Sequence, residues 1–419
     1  MIKSDRILKY LVVIILSQSV ICVSDGFSAI ADEDYILITQ GYVQVDQGQI
    51  YYEMAGEGRE TIILIHDGLV HREVWDNQFH FFEETYRVIR YDRRGYGLSA
   101  KPQAAYSDIE DLHQLMDTLK VDQAILIGMS SGGGLAINFS LQYPERVTSL
   151  VLVGAVVSGF GYTEHFITRG GRLTLDIYNQ PDSLMHYIIE DDPYEISQKN
   201  SSARDRVRKL LNENPQNMDI SRARLQKPLP RPAIDHLNEI QMPTLIIVGE
   251  YDIPDVHAHA GALQAGIRGA ERIVMPGAGH LVPVERPEAF NQKVQEFLAG
   301  APFFSILYRS GVNAAVKFYG EEHRKNPDWI PFTENRINML GYKYLQSGET
   351  EQAISLFKLN TLAFPNSSNV YDSLGEAYMI NGDRKLAIEN YRKSLKLNPD
   401  NKNAEIQLDQ LTSLPESKD

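Results

Sequence analysis

The chemistry of this chain can be built outward from Ser130. It stands in Gly128-Met129-Ser130-Ser131-Gly132, between an apolar, strand-like run, Ala124–Ile127, and a stretch of helical spacing, Leu135–Leu141. A tight strand-to-helix turn holds a serine in strained backbone geometry and projects its hydroxyl above a sheet edge, with glycines where side chains would collide. A hydroxyl is a weak nucleophile until a base takes its proton. Pro276-Gly277-Ala278-Gly279-His280 places a histidine on a glycine-loosened loop after a short strand, and the run Thr244–Val248 is followed by three carboxylates, Glu250, Asp252 and Asp255. Serine, acid, histidine is the chain order of an acyl-transfer triad in a strand–turn–helix setting. The oxyanion of that reaction needs backbone N–H donors. Ser131, at the start of the helix, supplies one, and the loop Ile65-His66-Asp67-Gly68-Leu69 is placed to supply the other. Met129 is read either as a substrate contact or as sheet-top packing.

These residues need a sheet to hold them. Tyr42–Met54 alternates like a strand pair. Thr61–Ile65, Tyr86–Tyr91, Ala124–Ile127, Leu150–Val153, Thr244–Val248 and Arg272–Met275 are short apolar or β-rich runs, with helical spacing over Ile109–Leu119 and Leu135–Leu141. Strands apolar along their whole length, alternating with helices, imply a mostly parallel sheet covered on both faces. Residues 155–240 break this pattern. They are helical and polar, with the clusters Glu190-Asp191-Asp192 and Arg204–Lys209, and read as an inserted helical cap over the sheet's carboxyl edge.

His66–Trp75, the stretch Tyr91-Asp92-Arg93-Arg94-Gly95-Tyr96-Gly97-Leu98-Ser99, the serine turn, the acid turn and the histidine loop together resemble the α/β-hydrolase fold-1 family over about residues 40–300. That resemblance implies an eight-stranded, mostly parallel sheet with a helical cap. It selects Asp252, in Gly249-Glu250-Tyr251-Asp252, as the acid, and makes Asp92–Ser99 a structural tie rather than a catalytic segment. The family's oxyanion loop reads His-Gly and then a variable residue. Here Asp67 occupies the glycine position, so Gly68 is the matching donor and Leu69 the alternative. Asp67 is read two ways: as a carboxylate that contacts substrate or biases His280, with Leu69 beside it in the substrate pocket, or as a cap of the loop that faces away. A serine nucleophile is similar to the family's esterases, lactonases, carbon–carbon bond hydrolases and perhydrolases. Dehalogenase and epoxide-hydrolase relatives carry aspartate at the turn, and the aminopeptidases' His-Gly-Gly-Pro-Gly loop does not match. The expectation is hydrolysis of a small carboxylic ester through an acyl-serine, without a cofactor. Carbon–carbon cleavage or perhydrolysis by the same triad is the alternative.

Beyond about residue 300 the chain repeats. Leu340-Gly341, Tyr344, Gly348, Ala353 and Pro365 recur 34 residues on as Leu374-Gly375, Tyr378, Gly382, Ala387 and Pro399, and Phe357 recurs as the aromatic Tyr391. The pattern resembles tetratricopeptide repeats, with a partial repeat at Ala315, Phe318-Tyr319 and Pro327. It implies an all-helical module over 301–411 that presents a groove to a peptide or protein, docks on its own catalytic domain or mediates dimerisation. A disordered tail is expected over 412–419. A further reading makes the whole protein an interaction module, with the hydrolase domain at 32–300 as scaffold.

At the other end, Lys3, Arg6 and Lys9 lead into an apolar stretch from Leu8 to about Val23, and Ala29-Ile30-Ala31 fits a cleavage site. This is the pattern of a signal peptide over 1–31, which implies export to the periplasm or medium and no membrane span after cleavage. The sole cysteine, Cys22, lies inside it, so the exported protein is expected to hold no disulfide. A net charge of −14 without a basic aromatic run argues against nucleic acid. His257 and His259, two apart on a helix, do not share a face as metal ligands would, and no metal is expected. His71 and His113 read as surface or helix residues, and Trp75 as core packing behind the oxyanion loop.

Overall fold

A computed structural model describes residues 10–14, 36–172, 180–229 and 231–413. Eight strands follow one another from Ile36: β2 (Ile36–Val45), β3 (Gly48–Ala55), β4 (Thr61–Ile65), β5 (Arg87–Tyr91), β6 (Ala124–Met129), β7 (Val147–Val153), β8 (Thr244–Gly249) and β9 (Glu271–Met275). They form one sheet in the order β2-β3-β5-β4-β6-β7-β8-β9. Only the pairings of β3 with β2 and β5 are antiparallel. Every residue of β4, β6 and β8 is buried, because both faces carry helices, and alternation is lost there as the sequence suggests.

The sheet has one strand more than expected. Tyr10–Ile14 forms β1, parallel to the first half of β2. Five apolar residues rich in branched side chains fit a strand, and β2 offers them an open edge. The rest of the 1–31 segment read as an export signal lies outside the described residues.

Two helices flank the serine turn. Over α1 (Asp108–Thr118), Ser107 Oγ accepts the N–H of Glu110 at the amino end. Two carboxylates in its first turn are buried against the loop after β5: Asp108 on Arg93 (2.6 Å) and Asp111 on Arg94 (2.5 Å). The second, α2 (Ser131–Gln142), follows β6 without a linker. The cap consists of short helices, including Glu164–Arg172, Pro181–His186 and Ser201–Glu213. Among the described residues its only β pairing is a bridge from Gln226 to Tyr106.

The chain divides into two compact units between Gln295 and Glu296, a few residues before the boundary read from the sequence. The second unit is all helical. Its pairs Glu334–Gln346 with Thr350–Ala363 and Ser368–Asn381 with Arg384–Leu397 are preceded by Val312–Lys325 and followed by Lys402–Ser413. The repeat offsets have a steric basis. A Cβ on Gly341 would lie 2.5 Å from the Phe357 ring, and one on Gly375 would lie 3.1 Å from Tyr391, so each small residue is the seat for its own aromatic. Ala315 and Tyr319 of the partial repeat are buried in the same cluster as Ile337 and Leu356. The last helix takes in Thr412 and Ser413, two residues into the segment expected to be disordered, and 414–419 lies outside the described residues.

The tightest constraint on the serine turn is at Gly132, where a Cβ would stand 2.3 Å from the carbonyl oxygen of His66 and 2.6 Å from that of Ile65. Both obstacles are backbone, so no side chain can move aside. Gly132→Ala should cost about 3 kcal/mol or more and lower the denaturation midpoint of the first unit, measured by chemical unfolding of the full chain.

Candidate active site

Strand β6 delivers Ser130 to the carboxyl edge of the sheet, and α2 begins at the next residue. Ser130 has φ 52° and ψ −117°, a backbone conformation that non-glycine residues rarely adopt. Three bonds hold it there. Its N–H donates to Val153 O (2.8 Å), and its carbonyl accepts from Gly134 N (3.0 Å) and Val156 N (3.4 Å). A Cβ on Gly128 would lie 2.5 Å from Gly132 O, which is why the residues flanking this turn are glycines.

The three carboxylates after β8 have three different partners. Asp252 Oδ2 lies 2.9 Å from His280 Nδ1, and its Oδ1 accepts the Ile253 N–H (2.8 Å). Glu250 accepts Gly277 N, and Asp255 receives both the N–H and the hydroxyl of Thr163. Asp252 is thus the carboxylate that meets the histidine. It takes the proton on Nδ1 and leaves Nε2 as the free ring nitrogen. The His280 loop is in turn fixed to the cap. His280 N donates to the carbonyls of Tyr194 (2.8 Å) and Glu195 (3.0 Å). Glu285 bridges the two segments, accepting Gly279 N and Ser197 N at 2.8 Å each.

Burial alone would lower the His280 pKa. Asp252 outweighs it, with Glu195 and Asp67 adding to the effect, and the imidazole is pushed up to about 10. Burial pushes Asp67 the opposite way to its hydrogen bonds, up to about 6. Its Oδ1 accepts Leu69 N (2.9 Å) and Val70 N (2.8 Å). Asp67 caps the loop but does not face away from the site, since it lines a cavity shared with Ser130. Leu69 N, the alternative to Gly68, is engaged by Asp67. A Cβ on Gly68 would be 3.2 Å from Ser131 Oγ, so Gly68 and Ser131 adjoin.

Two cavities meet at Ser130. One, about 150 Å³, is lined by Ser130, Asp252, His280, Arg169 and Glu195. The other, about 350 Å³, is lined by Asp67, Gly68, Leu69 and the apolar cap side chains Phe166, Leu184 and Ile188. Met129 is fully buried at the end of β6 and lines neither cavity. Trp75 is buried beside Phe290. His71 is not a surface residue: it is fully buried and its ring nitrogens face Asn217 (3.0 Å) and Asn214 (3.3 Å), because the cap covers the loop that carries it. His259 is also buried, accepting Val157 N on Nδ1, while His113 is half-buried on α1 beside Asp117. Arg169 and Glu195 could not be placed from the sequence. They stand in a polar insertion, and bonds between residues 194–197 and the histidine loop bring Glu195 to the site.

The family described as alpha/beta hydrolase fold matches residues 60–287, and tetratricopeptide repeat matches 368–401. A 2-hydroxy-6-oxononadienedioate/2-hydroxy-6-oxononatrienedioate hydrolase of Paraburkholderia phymatum is 31% identical over 278 residues, 62% of this chain and 96% of that protein. A 2-hydroxy-6-oxo-6-phenylhexa-2,4-dienoate hydrolase of Comamonas testosteroni is 28% identical over 260 residues, 59% of this chain and 91% of the other. Among solved structures, Est816, described as an N-acyl homoserine lactone degrading enzyme, has a TM-score of 0.52 at 28% identity, covering 61% of this chain and 100% of its own. The enol-lactonase from Burkholderia xenovorans shares the fold at 23% identity and a TM-score of 0.52, over 62% of this chain and 99% of its own.

The raised pKa of His280 has a sign that can be checked. The carboxylates favour the imidazolium, so the stability this adds is fully present below the ordinary value of 6.5 and is lost as pH rises through about 10. Imidazole NMR of the folded protein should show His280 titrating in that alkaline range, and Asp252→Asn should move its midpoint to lower pH.

Proposed function

This chain belongs to the alpha/beta hydrolase fold family, and on that footing we propose that it is a serine hydrolase of carboxylic esters or lactones that works through an acyl-serine. The observation that carries this reading is Ser130, held at positive φ, on the wall of the same cavity as the Asp252–His280 pair. In the proposed reaction His280 Nε2 takes the Ser130 proton as Oγ attacks the acyl carbon. Asp252 holds the Nδ1 proton and stabilises the imidazolium that forms. The N–H groups of Ser131 and Gly68 receive the oxyanion. His280 then protonates the leaving alcohol, and a water activated by the same nitrogen releases the acid.

The relatives at about 30% identity favour a second reading, carbon–carbon bond hydrolysis by the same triad. Perhydrolysis would also use that triad. We further propose that residues 1–31 direct export, on the strength of the Lys3, Arg6 and Lys9 pattern and the small-residue site at Ala29–Ala31, and that the repeats serve a protein partner.

Wild type should turn over short p-nitrophenyl esters and label with a fluorophosphonate at Ser130. Ser130→Ala should lose the label and at least about a thousandfold in kcat. Equal turnover by both proteins would remove Ser130 from the reaction, and a kcat/KM for a 2-hydroxy-6-oxo-dienoate far above that for any ester would establish the second reading. Since only neutral imidazole can accept the serine proton, kcat/KM should rise with pH through the alkaline range, and Glu195→Gln should shift that limb to lower pH.

A further inference from the structure

The walls around Ser130 carry an unusual balance of charge. Asp67, Glu195 and Asp252 all line the two cavities that meet there, and Asp192 stands directly behind. Against these, Arg169 is the one arginine or lysine on either wall among the described residues. Its guanidinium is committed: Nε donates to Asp192 (2.7 Å) and a terminal nitrogen to Glu195 (2.8 Å). Two arginines beside the oxyanion loop are engaged by other acceptors. Arg93 binds Asp108 (2.6 Å) and Ser131 Oγ (2.8 Å), and Arg222 donates to the carbonyls of Asn217 (2.6 Å) and Asp219 (2.5 Å). In the reactive form His280 is neutral, so the charge of Asp252 is not offset by its partner.

An anionic group brought into this space would meet a surplus of buried carboxylates in a medium of low dielectric, where each repulsion is several times its value in water. It could not recruit Arg169 without stripping that residue from two carboxylates, leaving both unpaired. The apolar side chains Phe166, Leu184 and Ile188, by contrast, offer an uncharged chain a surface to bury.

Building on the Ser130 reading above, we propose that the site selects substrates by charge, taking uncharged or cationic acyl compounds and rejecting those that carry a carboxylate, with Glu195 as the specificity-determining residue. Substrates of the dicarboxylate kind named for the Paraburkholderia relative are excluded on this ground.

The test measures second-order labelling of Ser130 at pH 8 by two fluorophosphonates of equal length, one ending in a methyl group and one in a carboxylate. Wild type should react at least about tenfold faster with the uncharged probe, the scale of one partly screened unit-charge repulsion. Glu195→Gln should narrow that ratio several-fold, because it removes one carboxylate and releases Arg169 toward the anion. Asp67→Asn, whose amide oxygen still caps the loop, should narrow it as well and stands in if the first variant fails to fold. Rapid labelling of wild type at equal rates by both probes would overturn the selection by charge while leaving the serine hydrolase intact. An unchanged ratio in both folded variants would overturn the roles of these carboxylates. Failure of either probe to label Ser130 would overturn the hydrolase reading itself, and the inference with it.

Discussion

The close contact of Gly132 with the end of β4 is the constraint from which the site follows. With no side chain between them, α2 sits directly on the carbonyls of Ile65 and His66. That single contact places the helix start, and so the Ser131 N–H, against the loop that carries Gly68. It also forces the chain to turn so sharply at Ser130 that the residue takes a left-handed backbone. The places of Ser130, Ser131 and Gly68 are therefore set by one piece of backbone packing, and strain at Ser130 is tolerated because three main-chain bonds and the buried strands on both sides hold it.

The electrostatics are organised around His280 from the opposite side. Its backbone is tied to the cap and its ring to Asp252, while Glu195 and Asp67 approach through the cavity. Two of these carboxylates are absent from any simple picture of a triad. Asp67 replaces a glycine of the family's loop and is accommodated by accepting two N–H groups of its own turn. Glu195 is accommodated by Arg169, which in turn needs Asp192. One carboxylate in the oxyanion loop and one in the cap thus add to each other, and both favour the charged form of His280.

The sheet, the serine turn and the helical repeats were legible in the sequence because each leaves a local signature: unbroken apolar runs, a glycine-flanked serine between strand and helix, and small and aromatic residues at a fixed offset. The choice among Glu250, Asp252 and Asp255 needed the resemblance, and the structure separates them by partner. The cap was legible only as an insertion. Its contribution to the site, Arg169 and Glu195, depends on contacts across more than 80 residues of chain, such as that of Ser197 with Glu285. His71 went unrecognised as buried for the same reason: the asparagines that face it come from the cap. β1 was read as a targeting segment, and its apolar residues suit either that role or a strand.

The bridge made by Glu285 has a consequence for traffic. Because the same carboxylate holds Gly279 and Ser197, and the His280 amide holds Tyr194 and Glu195, residues 194–197 and the base move together or not at all. A doorway cannot open along that seam without dismantling the machinery it admits substrate to. The apolar side chains Phe166, Leu184 and Ile188 on the wall of the same cavity carry no such tie, and their displacement would break no side-chain hydrogen bond.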